Sequence, residues 1–465
     1  MPVRIVIIGS GPTALGAALR LNELQIEGGL DLEISILEKE DAVGGLASSV
    51  TDKRGFTWDL GVHVTGGSKY TDFISTINEA VGEWNEIPRC VKANMSHIIQ
   101  AEAPMENYIP YPVQDSIPYF PDYEKACCLA DIEKIEAENS QVAPQNFAEF
   151  SRKVFGETLQ ELFIRPYNEK VWTIGLDELS CGWVEGRVPQ PNGKMMAKRC
   201  ALSLSELHAE EESKPRVLFR YPAKLKGVGA MWKRITEKLP KSWVHLGKSV
   251  EKIDSKTRTV FCSDKSKFEY DYLISTMPLV ELGRITGLAP EIQLKHSKVV
   301  LVGLGLRRPQ PETLENFSWV YFPQPEIVFY RCTFLSNFNE YLTPNAAVFW
   351  SVICEIGLPS NKKIDEKEKI EKTIEDLKSV GILREDVQIV SKWIHSLPFG
   401  YPIPTVNRDD ELRKWQPIFE SKRIYSRGRF GSWKYEVANQ DHSFTMGRQV
   451  IDRIFMGEEE TVHGK

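Results

Sequence analysis

The strongest constraint on this chain lies in residues 3–14. VRIVII is a short, β-branched, apolar run of the kind that fills a buried parallel strand. It stops at Gly9-Ser10-Gly11-Pro12-Thr13-Ala14, and the helical pattern LGAALRLNEL follows at once. Gly9 permits the tight turn, Gly11 lets backbone approach a pyrophosphate, and Ala14 takes the third glycine's place at a close helix–strand contact. An anion would rest on the amide donors at the helix start. A second strand, LEISILE, ends at Glu38, placed to accept hydrogen bonds from a ribose. Its spacing from the glycines is long, and the inserted turn EGGLD accounts for that. Glycines alone fit a turn in any α/β protein. Strand, glycines, helix, strand and terminal acid together predict a dinucleotide-binding unit.

Gly44-Gly45-Leu46 follows Glu38 closely. This second diglycine resembles the flavin-binding group that includes amine oxidases and sugar mutases, and it favours FAD over NAD. A formal net charge of -6 argues against a nucleic-acid partner. Eight scattered cysteines give no CxxC pair or Cys/His cluster, so no metal site is expected. Reduced thiols in the cytoplasm are the expectation they support. The opening apolar residues run straight into glycines rather than into a signal-peptide core, and no run is long enough to span a membrane.

The rest of the chain reads as patches. Residues 85–115 look β-like, and 122–182 show helical patterning. Residues 189–216 are polar without clear periodicity and suggest a mobile lid. VEKID, TVFCSD and FEYDYLIST read as strands returning to the nucleotide-binding unit. KVVLVGLGL, SWVYFP, EIVFYRCTF and AVFWSVICEI read as alternating strands, and NKKIDEKEKIEKTIEDLKSVGIL as an amphipathic helix with a solvated face. IYSRGRFGSWKYE looks strand-like before a helix starting near Asp441.

Several distant segments are rich in tyrosine, arginine, asparagine and tryptophan. They are IPYPVQ, ELFIRPYNEKVW, EGRVPQPN, FRYPAK, SWVYFPQ, FYRCTFLSNF, GYPIPT and SRGRFGSWKYEVANQDHSF. With GSGPTA and GGLAS they resemble the eukaryotic type of UDP-galactopyranose mutase over nearly the whole chain. The resemblance implies a doubly wound, Rossmann-like α/β FAD domain over which a helical domain and an antiparallel β-sheet domain close. The expected boundaries are 1–85, 217–275 and 422–456 for the FAD domain. They are 116–216 for the helical domain with its lid, and 86–115 with 276–421 for the sheet domain.

It also implies roles. Arg187 and Arg331 would bind the two phosphates, with hydroxyl donors from Tyr321, Tyr401 and Tyr435. Arginine suits this because its planar fork matches phosphate oxygens and stays charged. Tyr111 and Gln114 would hold uracil, and Asn168 and Trp172 would line the uridine side. Arg429 would lie against the flavin and Asn439 near the sugar. Gly61, His63, Tyr435 and Gln440 join the cofactor set, and His63, Arg187, Arg331 and Asn439 the reacting centre. The implied reaction interconverts UDP-galactopyranose and UDP-galactofuranose. FAD is reduced by NADPH, its N5 attacks the anomeric carbon, and no net redox change results. The nucleophile then belongs to the cofactor, so no Ser/His/Asp set is needed.

Three departures from the family pattern lie near the flavin or lid. Gly61-Val62-His63-Val64 stands where the family has two glycines before the histidine, and Thr65-Gly66-Gly67-Ser68-Lys69-Tyr70 lacks the later histidine and aromatic residue. A β-branched residue at 62 would resist a left-handed backbone. Ser213-Lys214-Pro215-Arg216 replaces Trp-Gly-Pro-Asn, and Lys224-Leu225-Lys226-Gly227-Val228-Gly229 has fewer early glycines. Open alternatives are an enzyme acting on another UDP-sugar, a weakly active UDP-sugar-binding paralogue, and a flavin amine oxidase or desaturase.

Overall fold

Five parallel strands form the sheet that carries the nucleotide-binding loops. Their spatial order is Ile424–Ser426, Tyr272–Ser275, Val3–Ile8, Leu32–Leu37 and Val244–His245. The computed structural model describes residues 1–138, 142–184 and 191–464. Val3–Ile8 sits at the centre with both faces covered, which is why it is apolar throughout its last four residues. Helix Pro12–Gly28 begins with proline in its first turn and ends at left-handed Gly29. It packs against helix Gln440–Met456. At Gly16 a β-carbon would lie 2.1 Å from the Phe444 carbonyl, and at Gly447 one would lie 1.9 Å from the Thr13 carbonyl. These two glycines let the helices touch backbone to backbone.

The second large sheet has seven strands. They run Ile389–Pro402, His296–Arg307, Phe349–Pro359, Arg331–Thr333, Trp319–Tyr321, Val91–Asn94 and Tyr108–Pro110. All neighbours are antiparallel except Trp319–Tyr321 with Val91–Asn94. The architecture is therefore mixed α/β, a parallel sheet joined to antiparallel ones. A helical layer, including Asp122–Glu138, Phe147–Phe155 and Arg165–Trp172, buries its own aromatic cluster beside the seven-stranded sheet.

Three local expectations are corrected, and one strand was not anticipated. Val250–Asp254, Thr259–Cys262 and Lys267–Glu269 form their own antiparallel sheet, and only Tyr272–Ser275 enters the parallel one. Residues 193–213 carry two helices, Gly193–Cys200 and Leu204–Ser213. Asn192 caps the first, and a Ser203/Glu206 capping box starts the second. After Ile424–Ser426 the chain leaves the strand state; Gly428 and Trp433 have positive φ, and 427–434 form a loop before a 3₁₀ turn at Tyr435–Val437. Finally, Ile389–Pro402 is a long strand that the periodicity did not suggest, because buried and half-buried residues do not alternate along it.

Candidate functional site

The glycine segments meet at the strand ends. Gly9 has φ +99°, and its amide donates to the Leu37 carbonyl at 2.8 Å. A β-carbon there would collide with Thr276 Oγ1 at 2.2 Å, so the turn admits glycine alone. Gly11 caps helix Pro12–Gly28. The Gly44 amide donates to the Ser10 carbonyl at 3.0 Å, which docks the second diglycine on the first loop. Ala14 is fully buried behind it. Glu38 is 5% exposed; it accepts from Ser10 Oγ at 2.6 Å and from the Glu40 amide at 3.0 Å.

These elements open on one cleft of ≈ 1930 Å³. Gly9, Gly11, Glu38, Gly45, Leu46, Gly61, His63, Arg331, Tyr401, Arg429, Asn439 and Gln440 all line it. A dinucleotide fits this cleft on three grounds. Its glycine floor leaves backbone bare, a helix N-terminus faces in, and His63 Nε2 is buried without a partner. Burial pulls the His63 pKa below its ordinary value, and Arg429 pulls the same way while Asp59 and Glu355 oppose. The ring is therefore neutral at pH 7. Val62 is absent from the residues with positive φ, so its β-branched side chain sits on ordinary backbone and packs against the core. Loop 65–70 is tied down: Thr65 and Arg220 exchange backbone hydrogen bonds at 2.8 and 2.7 Å, and Ser68 Oγ donates to Asp441 at 2.8 Å.

At one wall the cleft meets an aromatic shelf. Arg331 and Tyr321 are cross-strand partners on the hairpin, and Tyr111 lies 4.6 Å from Tyr321, ring centre to ring centre. Trp172 packs edge-on to Tyr401 at 5.8 Å and Tyr435 at 5.0 Å, and donates from Nε1 to Asn168 at 3.2 Å. Arg429 lies 5.8 Å from the Tyr401 ring and donates to the Ala438 carbonyl at 3.1 Å. Burial raises the pKa of Tyr111, Tyr321 and Tyr401, so their hydroxyls remain donors at neutral pH. Gln114 is buried beside Val113 in a short 3₁₀ turn. The structure thus gathers Tyr111, Asn168, Trp172, Tyr321, Arg331, Tyr401, Tyr435 and Arg429 in one contiguous group. Gly44, Tyr111, Gln114, Asn168, Trp172, Tyr321 and Tyr435 stand behind the cleft lining rather than in it. Arg187 lies outside the described residues.

Two residues beside the site escaped the sequence reading. Glu355, 2% exposed, lines the cleft and grips Arg331 with both oxygens, at 2.7 Å from Nε and 2.7 Å from Nη2. Tyr330 donates to the same carboxylate at 2.6 Å. The readable signal was a lone acid inside the apolar run AVFWSVICEI, since a buried carboxylate demands partners. Tyr167, within RPYNEKVW, stacks on Phe163 and meets Tyr321 edge-on at 5.1 Å; nothing in the sequence separates it from ordinary packing.

With this geometry in hand, comparison with known proteins is specific. The pattern of the family described as flavin containing amine oxidoreductase matches residues 15–430. A crystal structure of reduced UDP-galactopyranose mutase superposes with a TM-score of 0.88 and 33% identity, covering 100% of this chain and 96% of that one. A putative protoporphyrinogen oxidase from Exiguobacterium sp. 255-15 gives 0.72 and 18%, covering 98% of this chain and 100% of its own. A putrescine oxidase gives 0.63 and 16%, covering 98% and 99%. The last two share the fold. The chain belongs to the family of flavin-containing amine oxidoreductases, and within that fold it is similar over its full length to a UDP-galactopyranose mutase.

Proposed function

We propose that this protein is a flavin-dependent UDP-sugar mutase that interconverts UDP-galactopyranose and UDP-galactofuranose. The observation that carries the reading is the wall where Arg331 and Tyr401 enter the cleft, with Tyr321, Tyr111 and Trp172 behind them. An amine would be served by an apolar or aromatic cage. A buried guanidinium ringed by phenol donors suits a diphosphate instead.

When bound in reduced form, the flavin supplies the nucleophile for the anomeric carbon. Gly9, Gly11, Glu38, Gly44, Gly45 and Arg429 would hold it. Everything else is positioning and charge. The Glu355 carboxylate takes Nε and one Nη of Arg331, fixing the fork so that its remaining N–H groups point one way. Tyr401 and Tyr321 add neutral donors, which grip a departing and returning diphosphate without changing protonation state. Neutral His63 would offer its unpartnered Nε2 to a flavin held in the cleft it lines, as an acceptor or donor. Tyr111 and Gln114 would hold uracil, and Asn168 and Trp172 would line the uridine side. The same reading takes NADPH as the reductant and the cytoplasm as the setting. Among the described residues no helix is long and apolar enough to cross a membrane.

The test is turnover. The flavin-loaded protein, reduced with dithionite, is incubated with UDP-galactofuranose and the nucleotide sugars are separated by chromatography. Conversion to UDP-galactopyranose is expected with reduced protein and not with oxidised. No conversion while UDP still shifts the flavin spectrum would point to another UDP-sugar. No response to UDP at all would remove the nucleotide-sugar reading.

A further inference from the structure

Helix Arg165–Trp172 turns Asn168 and Trp172 towards the aromatic shelf and points Lys170 elsewhere. Its ammonium enters the loop that links Trp319–Tyr321 to Arg331–Thr333. There four backbone carbonyls surround Nζ, Phe322 at 2.8 Å, Gln324 at 2.9 Å, Ile327 at 2.8 Å and Phe329 at 2.8 Å, so its three N–H donors are shared among four acceptors. Four inward-facing carbonyls around one cation form the kind of cage that elsewhere holds a dehydrated monovalent ion. Burial lowers the Lys170 pKa to about 7, opposed by Asp376 and Glu326. The carbonyls can only accept, so they too favour the form richest in N–H.

The loop fixed in this way holds the site residues at its two ends. Tyr321 and Arg331 are paired across the hairpin, and the Phe322 amide donates to the Tyr330 carbonyl at 3.0 Å to extend the pairing. The same lysine anchors the helix from its other side. A β-carbon on Gly357 would lie 2.2 Å from the Lys170 carbonyl, so the helix end is pressed against the strand that carries Glu355. The Lys170 side chain therefore ties the helix bearing Asn168 and Trp172 to the hairpin bearing Tyr321 and Arg331, while its backbone packs that helix on the strand bearing Glu355.

We propose that Lys170 is a positioning residue for the UDP site, a built-in cation that holds the Tyr321–Arg331 hairpin in register with the helix carrying Asn168 and Trp172. A lysine that merely quietened buried carbonyls would matter to the fold at large and not to this site. The inference rests on the UDP-sugar reading for its ligand, but its structural half is independent of it.

The experiment uses three flavin-loaded variants, Lys170→Met, Lys170→Ala and Gly357→Ala, beside the parent. Parental UDP binding is measured first by the flavin spectrum; its absence would remove the ligand assignment and leave hydrogen exchange of amides 319–333 to decide the rest. Lys170→Met should keep its flavin, open that hairpin to exchange, and weaken UDP by about tenfold or more, as small displacements of a site do. Gly357→Ala should weaken UDP similarly. In Lys170→Ala, ammonium chloride should restore both hairpin protection and UDP affinity, because it replaces the head group without its stem, while tetramethylammonium chloride should not. UDP affinity within twofold of the parent in flavin-loaded Lys170→Met, with unchanged hairpin exchange, overturns the proposal. So does a failure of both lysine variants to hold flavin whatever the cation, since the lysine would then serve the fold as a whole.

Discussion

The Arg331 side chain is 15% exposed and that of Glu355 3%, so each has given up most of its water for the other. Neither is cheap to leave alone. Removing one partner of a buried pair costs about 3–5 kcal/mol, because the survivor keeps its desolvation penalty, while replacing both with apolar groups can be neutral. Arg331→Ala should therefore lower unfolding free energy by about 3–5 kcal/mol, and Arg331→Met with Glu355→Leu should recover most of that without recovering UDP binding. Denaturant titration beside UDP titration checks both halves. A single variant that stays stable yet loses UDP would mean the pair is solvated and Glu355 is a bystander. Residue-level legibility was uneven here. Arg331, Tyr321 and Tyr401 are legible only through the resemblance of the segments that carry them, since each alone reads as ordinary packing. Glu355 stood in an apolar run and was passed over, since its partner lies across a strand pairing that no local pattern announces.

Among elements, the helix pair Pro12–Gly28 and Gln440–Met456 has the tightest tolerance. Gly447 faces Thr13 carbonyl oxygen, and Thr13 lines the cleft two residues after Gly11. Gly447→Ala must push the helices apart, at about 1–3 kcal/mol for overpacking. It should also lower flavin content, because the displaced helix start is the one that faces the cofactor. Absorbance ratio and melting temperature on the purified variant read the two effects; full flavin content with wild-type melting would show that the helices yield without cost. The glycine turn, both early strands and the start of the last helix were legible because each has local chemistry that fixes it. Ile389–Pro402 was not. It reads IVSKWIHSLPFGYP, and it is held as an edge strand by the twelve-residue strand His296–Arg307 rather than by its own alternation. The helices at 193–213, which the lack of periodicity reads as a lid, start instead at the caps Asn192 and Ser203 with Glu206, which outweigh weak amphipathicity.

At the scale of the molecule, residues 460–464 fold back beneath loop 427–434, which with the 3₁₀ turn after it presents Arg429 and Tyr435 to the site. Glu460 clasps Arg427 at 2.6 Å and Arg453 at 2.8 Å, Val462 is fully buried, and His463 Nδ1 meets Ser432 Oγ at 3.0 Å. Burial, with help from Arg427 and Lys434, pulls the His463 pKa to about 2. Burial pushes Glu420 and Glu460 the other way, yet Arg427 and Arg453 hold both below the ordinary carboxylate value, so these carboxylates keep their charge in mild acid. A folded pKa below the free histidine value means that the undocked tail binds more protons below about pH 6.5. Docking should thus weaken as pH falls from there, by at most about 1.4 kcal/mol per pH unit. Hydrogen exchange of residues 458–464, followed from neutral to about pH 5, should show growing release. A flat profile would place His463 in water.

The close approach of Gly16 to Phe444 and of Gly447 to Thr13 also has a bearing on how the protein is made. Strand Ile424–Ser426 closes one side of the parallel sheet, and helix Gln440–Met456 covers helix Pro12–Gly28. On the ribosome the amino-terminal strand and its glycine turn emerge long before either partner, and a nascent chain folds only what has already been delivered. The seven-stranded sheet can assemble while the first strands still wait with apolar surface uncovered. Cofactor loading should therefore wait until helix Gln440–Met456 has been made, and a chain truncated before residue 424 is expected to purify without flavin absorbance, which a visible spectrum checks.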